Sequence, residues 1–263
     1  MSEDFHILSV LHKIYRAAIL FMFLLCGGQV ALAESIGIGY SYSRLIMMAS
    51  DRSASVSVKN QTDHAYLMQS NINTVDSATG LPIITMPGSR LVPFHILPPL
   101  KRLDPKAELP LRIIAMPAAI GMLPAGKESV YFISVKAIPS YLLATDGGTH
   151  QEGNLVFAMV NSIKLFYRPA GLEKEAVANI SGSLNFRLDN NKLLVTNPSA
   201  YYATFSSLNV GGKDINADVF RAMVPPASEQ VYVLPSEPYG SEVRWRLIDE
   251  YGMATDENYK LLK

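Results

Sequence analysis

The chain has 263 residues, and its 23 Lys plus Arg balance 23 Asp plus Glu, with 49% of residues hydrophobic. A neutral chain without a Lys/Arg block lacks the basic excess that displaces counterions from phosphates, so nucleic acid is not an expected partner. Beyond residue 33 the only histidines are His64, His95 and His150, isolated from one another, and the single cysteine is Cys26. No metal site and no cofactor are expected from that set.

Taken in order, Lys13 and Arg16 precede the apolar run Ala17 to Leu25, and Ala31-Leu32-Ala33 closes the segment. That order reads as a secretory signal peptide over residues 1–33, cleaved after Ala33. The run is far short of the ~20 apolar residues a spanning helix needs, and no later stretch supplies one, so stable membrane insertion is not expected. Cleavage removes Lys13, Arg16, Glu3 and Asp4, taking each charge count from 23 to 21 and leaving the net charge at zero. It also removes Cys26, so the mature chain must be held by apolar burial rather than disulfides. About 230 residues suffice for two ordinary domains.

Ser53 to Val58 alternates small or polar with apolar residues, Asn60-Gln61-Thr62-Asp63 supplies a turn, and Ala65 to Ile72 follows. This predicts strand, turn, strand. Further strands are expected at Ile83-Ile84, Leu111 to Ile114, Val130 to Ile138, Leu155 to Tyr167, Leu193 to Thr196, Tyr201 to Leu208, Val231 to Leu234 and Val243 to Ile248. Helical periodicity is nowhere sustained, which favours an all-β antiparallel sandwich over α/β. The long apolar strand stops at Arg168-Pro169-Ala170-Gly171 and a charged stretch follows, so the hinge is placed there, with domains over 34–169 and 170–263.

Ala137-Ile138-Pro139-Ser140 and Ile163-Lys164-Leu165-Phe166-Tyr167-Arg168-Pro169 resemble the signature region of periplasmic pilus chaperones of the chaperone/usher pathway. Ser43-Arg44-Leu45-Ile46, Leu111-Arg112-Ile113, Lys127 to Phe132, Val195 to Tyr202 and Ile248-Asp249-Glu250-Tyr251-Gly252 extend the resemblance over nearly the whole mature chain. It implies two immunoglobulin-like β-sandwich domains at an angle, with an interdomain cleft where a cation pair grips the C-terminal carboxylate of a pilus subunit. By motif position that pair is Arg44 and Lys164. A desolvated carboxylate needs charge-assisted donors, and Arg supplies a planar fork while Lys supplies a compact charge.

Leu155, Phe157 and Met159 occupy alternate positions and point to one face of an extended segment. The resemblance assigns them to the row that completes the subunit's sheet, a form of β-strand addition. From Met159 to Lys164 is about 17 Å at ~3.3 Å per residue, so an anchor at one end sets the register of the row. The polar, Gly-containing stretch Ser140 to Gly153 suits a loop that extends the donor strand on binding, and its length resembles the short-loop subclass. The family's interdomain charge network falls on Arg112, Glu128 and Glu250. Two departures stand out: Asp249-Glu250-Tyr251-Gly252 replaces the usual Asn-Asp-Tyr-Gly, and Met47-Met48-Ala49 follows Arg44 where relatives tend to carry tyrosine and proline.

The implied function is a periplasmic chaperone that binds, folds and caps pilins and adhesin by donor-strand complementation and delivers them to an outer-membrane usher. An exposed apolar strand would favour self-association of the free form. No nucleophile elbow or dinucleotide fingerprint suggests an enzyme, and no catalytic residue is assigned. The alternative is a secreted adhesin or carbohydrate-binding sandwich, for which Tyr201, Tyr202 and Trp245 would form the sugar platform.

Overall fold

Two-residue periodicity accounts for most of the strands. Glu108–Ala115 alternates exposed Glu108, Pro110 and Arg112 with buried Leu109, Leu111 and Ile113, and Phe94–Leu97 buries Phe94 and Ile96 while exposing His95 and Leu97. Each such strand lays one face on a core and leaves the other wet. The computed structural model describes residues 37–84, 92–140, 157–235 and 239–262. The expected leader, Leu155 and the loop 141–153 lie outside the described residues.

The first domain is a sandwich of two sheets. One is four-stranded, in the order β1 (Ile38–Tyr40), β3 (Ser53–Asn60), β7 (Glu108–Ala115), β5 (Phe94–Leu97). The other is five-stranded, in the order β2 (Arg44–Met48), β9 (Met159–Arg168), β8 (Ser129–Pro139), β4 (Tyr66–Asn73), β6 (Leu100–Leu103). Met47, Met68, Leu111, Ile113, Ile133 and Leu165 fill the space between them. The second domain packs β10 (Asn185–Asp189), β11 (Lys192–Asn197) and β14 (Ser228–Val233) against β13 (Lys213–Asp214), β12 (Phe205–Val210), β15 (Glu242–Leu247) and β16 (Asn258–Leu261). Its separate core is built on Leu184, Leu193, Val195, Val210, Tyr232 and Trp245. Two four-residue helices, α1 (Pro117–Ile120) and α2 (Val177–Ile180), sit in connections. Among the described residues no helix is long and apolar enough to cross a membrane.

Several expected elements shift. Ile83-Ile84 forms no strand; the segment contributes an isolated bridge between Val75 and Pro82. β12 starts at Phe205: Tyr201 and Tyr202 are engaged at the domain junction, and Ala203 forms an isolated bridge with Val224. The two methionines after Arg44 do not disturb the strand there: Met47 is fully buried and β2 runs parallel to β9. The expected strands omit β10, although Phe186 and Leu188 alternate with polar residues there, and β13 and β16 are too short to show a repeat.

Because Leu111 is fully buried in the first core while Leu100 is half exposed, truncating them separates packing from surface. Leu111→Ala should cost about 2–5 kcal/mol in urea unfolding, and Leu100→Ala within about 0.5 kcal/mol. Equal losses would contradict this core assignment.

Candidate functional site

β9 carries the site because it serves three surroundings at once. Successive residues alternate faces, so Ile163, Leu165 and Tyr167 enter the first core while Ser162, Lys164, Phe166 and Arg168 look toward the second domain. Its C-terminal half is flanked on both sides, by β8 and by β2. Among the described residues its N-terminal half, Met159–Ile163, is laddered only to β8. A groove of about 330 Å³ lined by Tyr40 to Ser43 and Asn161 to Ile163 runs along the other edge.

Parallel pairing sets Arg44 directly opposite Lys164. Arg44 lies with its guanidinium carbon 5.5 Å from the centroid of the Phe166 ring and donates from one terminal nitrogen to the Ile248 carbonyl of the second domain at 2.9 Å. Its Nε is buried without a partner among the described residues. Lys164 has no hydrogen bond or ion pair among the described residues and faces a cavity of about 520 Å³. Burial, with the Arg44 charge beside it, pushes the Lys164 ammonium down to about 8. Burial also lowers Arg44, opposed by the more distant charges of Asp249, Glu128 and Glu250.

One turn further along the same face lies the ion cluster that joins the domains. Arg168 Nε donates to Glu128 Oε1 at 2.6 Å and one terminal nitrogen donates to Glu250 Oε1 at 2.8 Å, with Arg168 and Glu128 side chains 1% exposed and Glu250 7%. Its other terminal nitrogen donates to the Glu173 and Lys174 carbonyls at 2.9 and 2.5 Å, and Tyr201 stacks on the guanidinium at 4.7 Å. Glu128 accepts the Tyr202 amide at 2.7 Å, and Glu250 accepts the amides of Ala176 and Val177 at 2.9 and 3.1 Å. First domain, connecting segment and second domain thus meet on one guanidinium. Burial alone would raise Glu250, but those two amides and Arg168 outweigh it and hold its carboxyl below the usual range. Burial raises Glu128 against the pull of Arg168, and the two carboxylates together keep Arg168 protonated. With two short charged contacts to one guanidinium, the ionised triad is the state at neutral pH.

Of the sequence-assigned residues, Arg44 and Lys164 come together, and Glu128 and Glu250 come together. Arg112 does not join them: it projects from the outer face of β7, exposed, and donates to the Ser53 hydroxyl at 3.1 Å. The network's cation is Arg168, which the sequence reading places in the signature stretch and at the hinge but not in the network. Its signal was present, since Arg168 lies four residues after Lys164 and an even spacing in a strand places both on one face. Phe157 and Met159 are 76% and 52% exposed, beyond the sandwich they belong to. Tyr201, Tyr202 and Trp245 make no open platform: Trp245 is buried with its Nε1 donating to the Ser181 carbonyl at 2.9 Å, and both tyrosines are engaged in the junction.

Two immunoglobulin-like sandwiches clamped by a buried ion triad, with two adjacent cations at their junction that form no ion pair among the described residues, define a two-domain cleft protein. Residues 37–173 match the family described as pili and flagellar-assembly chaperone, PapD N-terminal domain, and residues 179–259 match pili assembly chaperone PapD, C-terminal domain. The chain is 32% identical to the chaperone FimC of Escherichia coli K12 over 238 residues, spanning 90% of this chain and 88% of FimC. It is also 32% identical to Escherichia coli FocC over 222 residues, 84% of this chain and 88% of that one. The structure resembles that of the Escherichia coli chaperone DraB with a TM-score of 0.67 and 26% identity, over 86% and 99% of the two chains. A chain of the Salmonella enterica SafA pilin–SafB chaperone complex gives 0.70 and 26%, over 86% and 97%. The chain belongs to the PapD family of periplasmic pilus chaperones of the chaperone/usher pathway, and its work is assembly rather than catalysis.

Removing the buried guanidinium strands two carboxylates, so Arg168→Ala should lower stability by about 3–5 kcal/mol in chemical unfolding. Glu250 has a folded pKa below its unfolded one, so its contribution is present above the unfolded value and is lost as pH falls through the folded value. Glu128, shifted upward, has the opposite sign and cannot supply that acid loss. Glu250→Gln should therefore flatten the fall in stability on acidification; an unchanged slope would assign it to other carboxylates.

Proposed function

We propose that Arg44 and Lys164 seat the C-terminal carboxylate of a pilus subunit while Phe157 and Met159, with Leu155 preceding them, complete the subunit's missing sheet edge. The observation that carries this reading is the pairing of two cations side by side on neighbouring strands, partly desolvated and without an anion among the described residues. Desolvated charge without a partner is costly, and a carboxylate bridging both would recover it with charge-assisted bonds. The exposed Phe157 and Met159 and the unladdered edge of β9 support the second half, since an added strand finds backbone donors, acceptors and an apolar row in one place. In the SafA–SafB complex a related chaperone is found with a pilin. Full burial of Phe157 and Met159 would contribute roughly 1.5–3 kcal/mol each before ordering costs.

The reading extends to delivery of the capped subunit, pilin or adhesin, to an outer-membrane usher, with a leader over 1–33, domains over 34–169 and 170–263, and self-association of the uncapped form through its apolar strand. The charge network in this scheme is Glu128, Glu250 and Arg168, and its role is to hold the cleft rather than to touch the client.

Affinity capture from periplasm tests the anchor. The purified chain should carry a stoichiometric pilus subunit, and Lys164→Ala should keep its unfolding midpoint yet lose the subunit; equal yield from the variant would reject the anchor. Because the free ammonium titrates near 8 and only its charged form attracts a carboxylate, client affinity should fall as pH rises above about 8. Over the interval from about 8 to 10.5 the unfolded chain binds more protons at this site than the folded one, so the free chain gains stability as pH rises there. Titration calorimetry at pH 7 and 9.5 reads the first effect, and a pH series of urea unfolding reads the second.

A further inference from the structure

The Arg168 triad, the Arg44 bond to the Ile248 carbonyl and the Glu128 amide bond to the Ala200 carbonyl join the domains on one side of the junction, beside the connecting segment. A second contact lies elsewhere, at a turn of the first domain that follows β4. The Asp76 amide donates to the Leu81 carbonyl and the Gly80 amide to the Asp76 carbonyl, both at 2.8 Å, and the Ile83 amide donates to the Thr74 carbonyl at 2.9 Å. Asp76 Oδ1 accepts the amides of Ala78 and Thr79 at 2.9 and 3.4 Å, closing the turn from inside. Gly80 sits at its apex with φ +70°, and a Cβ placed there would lie 2.6 Å from the Arg221 carbonyl oxygen and 2.7 Å from the Ala222 Cα of the second domain.

Backbone meets backbone at that point, and neither side can yield cheaply. Ala222, Met223 and Val224 are buried in the second domain, with the Ala222 carbonyl accepting the buried Tyr232 hydroxyl at 2.7 Å. Ordinary van der Waals contact begins near 3.4 Å, so a Cβ would force the domains apart by about 0.8 Å at this point. Gly80 also lines two cavities. On one side lies the cavity before Lys164, walled by Leu81, Pro82, Ile84 and Val160 with Arg221 opposite; on the other lies one of about 540 Å³ beside Lys127, Glu128 and Tyr202.

We propose that the turn Val75–Pro82 is a second interdomain tie, that Gly80 is its positioning residue, and that the tie sets the width of the cavity in which a client tail meets Lys164. The importance for client binding rests on the carboxylate-anchor reading above; the tie itself does not. Leu81 and Ile84, 43% and 60% exposed, form the wall that the tie holds in place and that a seated client would cover. The contacts beside the connecting segment fix one side of the junction and Gly80 the other, and together they set the opening between them.

The test uses the mature chain with spin labels on cysteines replacing the exposed Lys101 and Lys192, one in each domain, and Gly80→Asn as the variant. Asparagine tolerates positive φ better than other side chains, so it introduces the Cβ with the least backbone strain. Gly126→Ala is the control, because Gly126 has φ +72° with nothing within 4 Å of its Cβ position. Gly80→Asn should broaden or displace the interlabel distance distribution, and Gly126→Ala should leave it unchanged. The binding probe is a synthetic peptide copying the C-terminal strand of the subunit captured by the wild-type chain, as free acid and as amide. Gly80→Asn should weaken binding of the free acid about ten-fold while Gly126→Ala binds as wild type.

An unchanged distance distribution in Gly80→Asn overturns the tie whatever the peptide does. A changed distribution with unchanged peptide affinity overturns its role in the cleft. Equal wild-type affinity for free acid and amide instead overturns the anchor reading, leaving the distances to judge the tie. Should Gly80→Asn fail to fold, Asp76→Ala, which loosens the turn from its exposed side, should broaden the same distribution; no change would equally overturn the tie.

Discussion

The buried guanidinium of Arg168 is the constraint from which the rest of the arrangement follows. A charge removed from water is tolerated only when its donors are nearly all satisfied, and here two carboxylates and two carbonyls take bonds from it. Those partners come from the residue just before β8, from the segment after β9 and from the loop after β15. Each must be present for the others to be satisfied, so displacing any one of the three segments strands a buried charge. A buried ionic cluster of this kind contributes little net stability over an apolar one, but it penalises misaligned geometries heavily.

Having that junction in place gives β9 its unusual duties. Alternation sends one row into the first core and the other toward the second domain, while the strand's early half keeps an unladdered edge. The same backbone therefore carries a packing surface, a charged surface and an edge that no strand ladders among the described residues. Close in sequence as they are, these surfaces do not interfere, because the pleat separates them by direction.

The contrast between the two cation sites is one of compensation. Arg168 is deeply buried and held by two carboxylates; four residues earlier on the same face, Lys164 is partly buried beside a second cation and has no ion-pair partner among the described residues. Proximity of like charges in a half-dry setting lowers the affinity of Lys164 for its proton, whereas two carboxylates raise that of Arg168. Identical strand geometry thus supports a rigid internal clamp at one position and an unsatisfied charge at the other.

Alternating apolar residues made β3, β4, β7, β8, β11 and β15 legible in the sequence, because a half-buried strand must repeat every second residue. Very short strands such as β13 and β16 were not, since two to four residues carry no repeat and their placement rests on the neighbours they pair with. Motif positions single out Glu128 and Glu250, which both bond Arg168, whereas Arg112 faces solvent on another sheet and bonds Ser53 instead. Spacing within a strand tells which face a residue occupies, and that much was determined by the sequence itself. Which faces confront each other was decided by the tertiary structure alone: the parallel register that sets Arg44 beside Lys164 within the first domain and the approach of Gly80 to Arg221 between the domains join residues more than a hundred positions apart, and the second of these contacts depends on how two separately packed cores are docked.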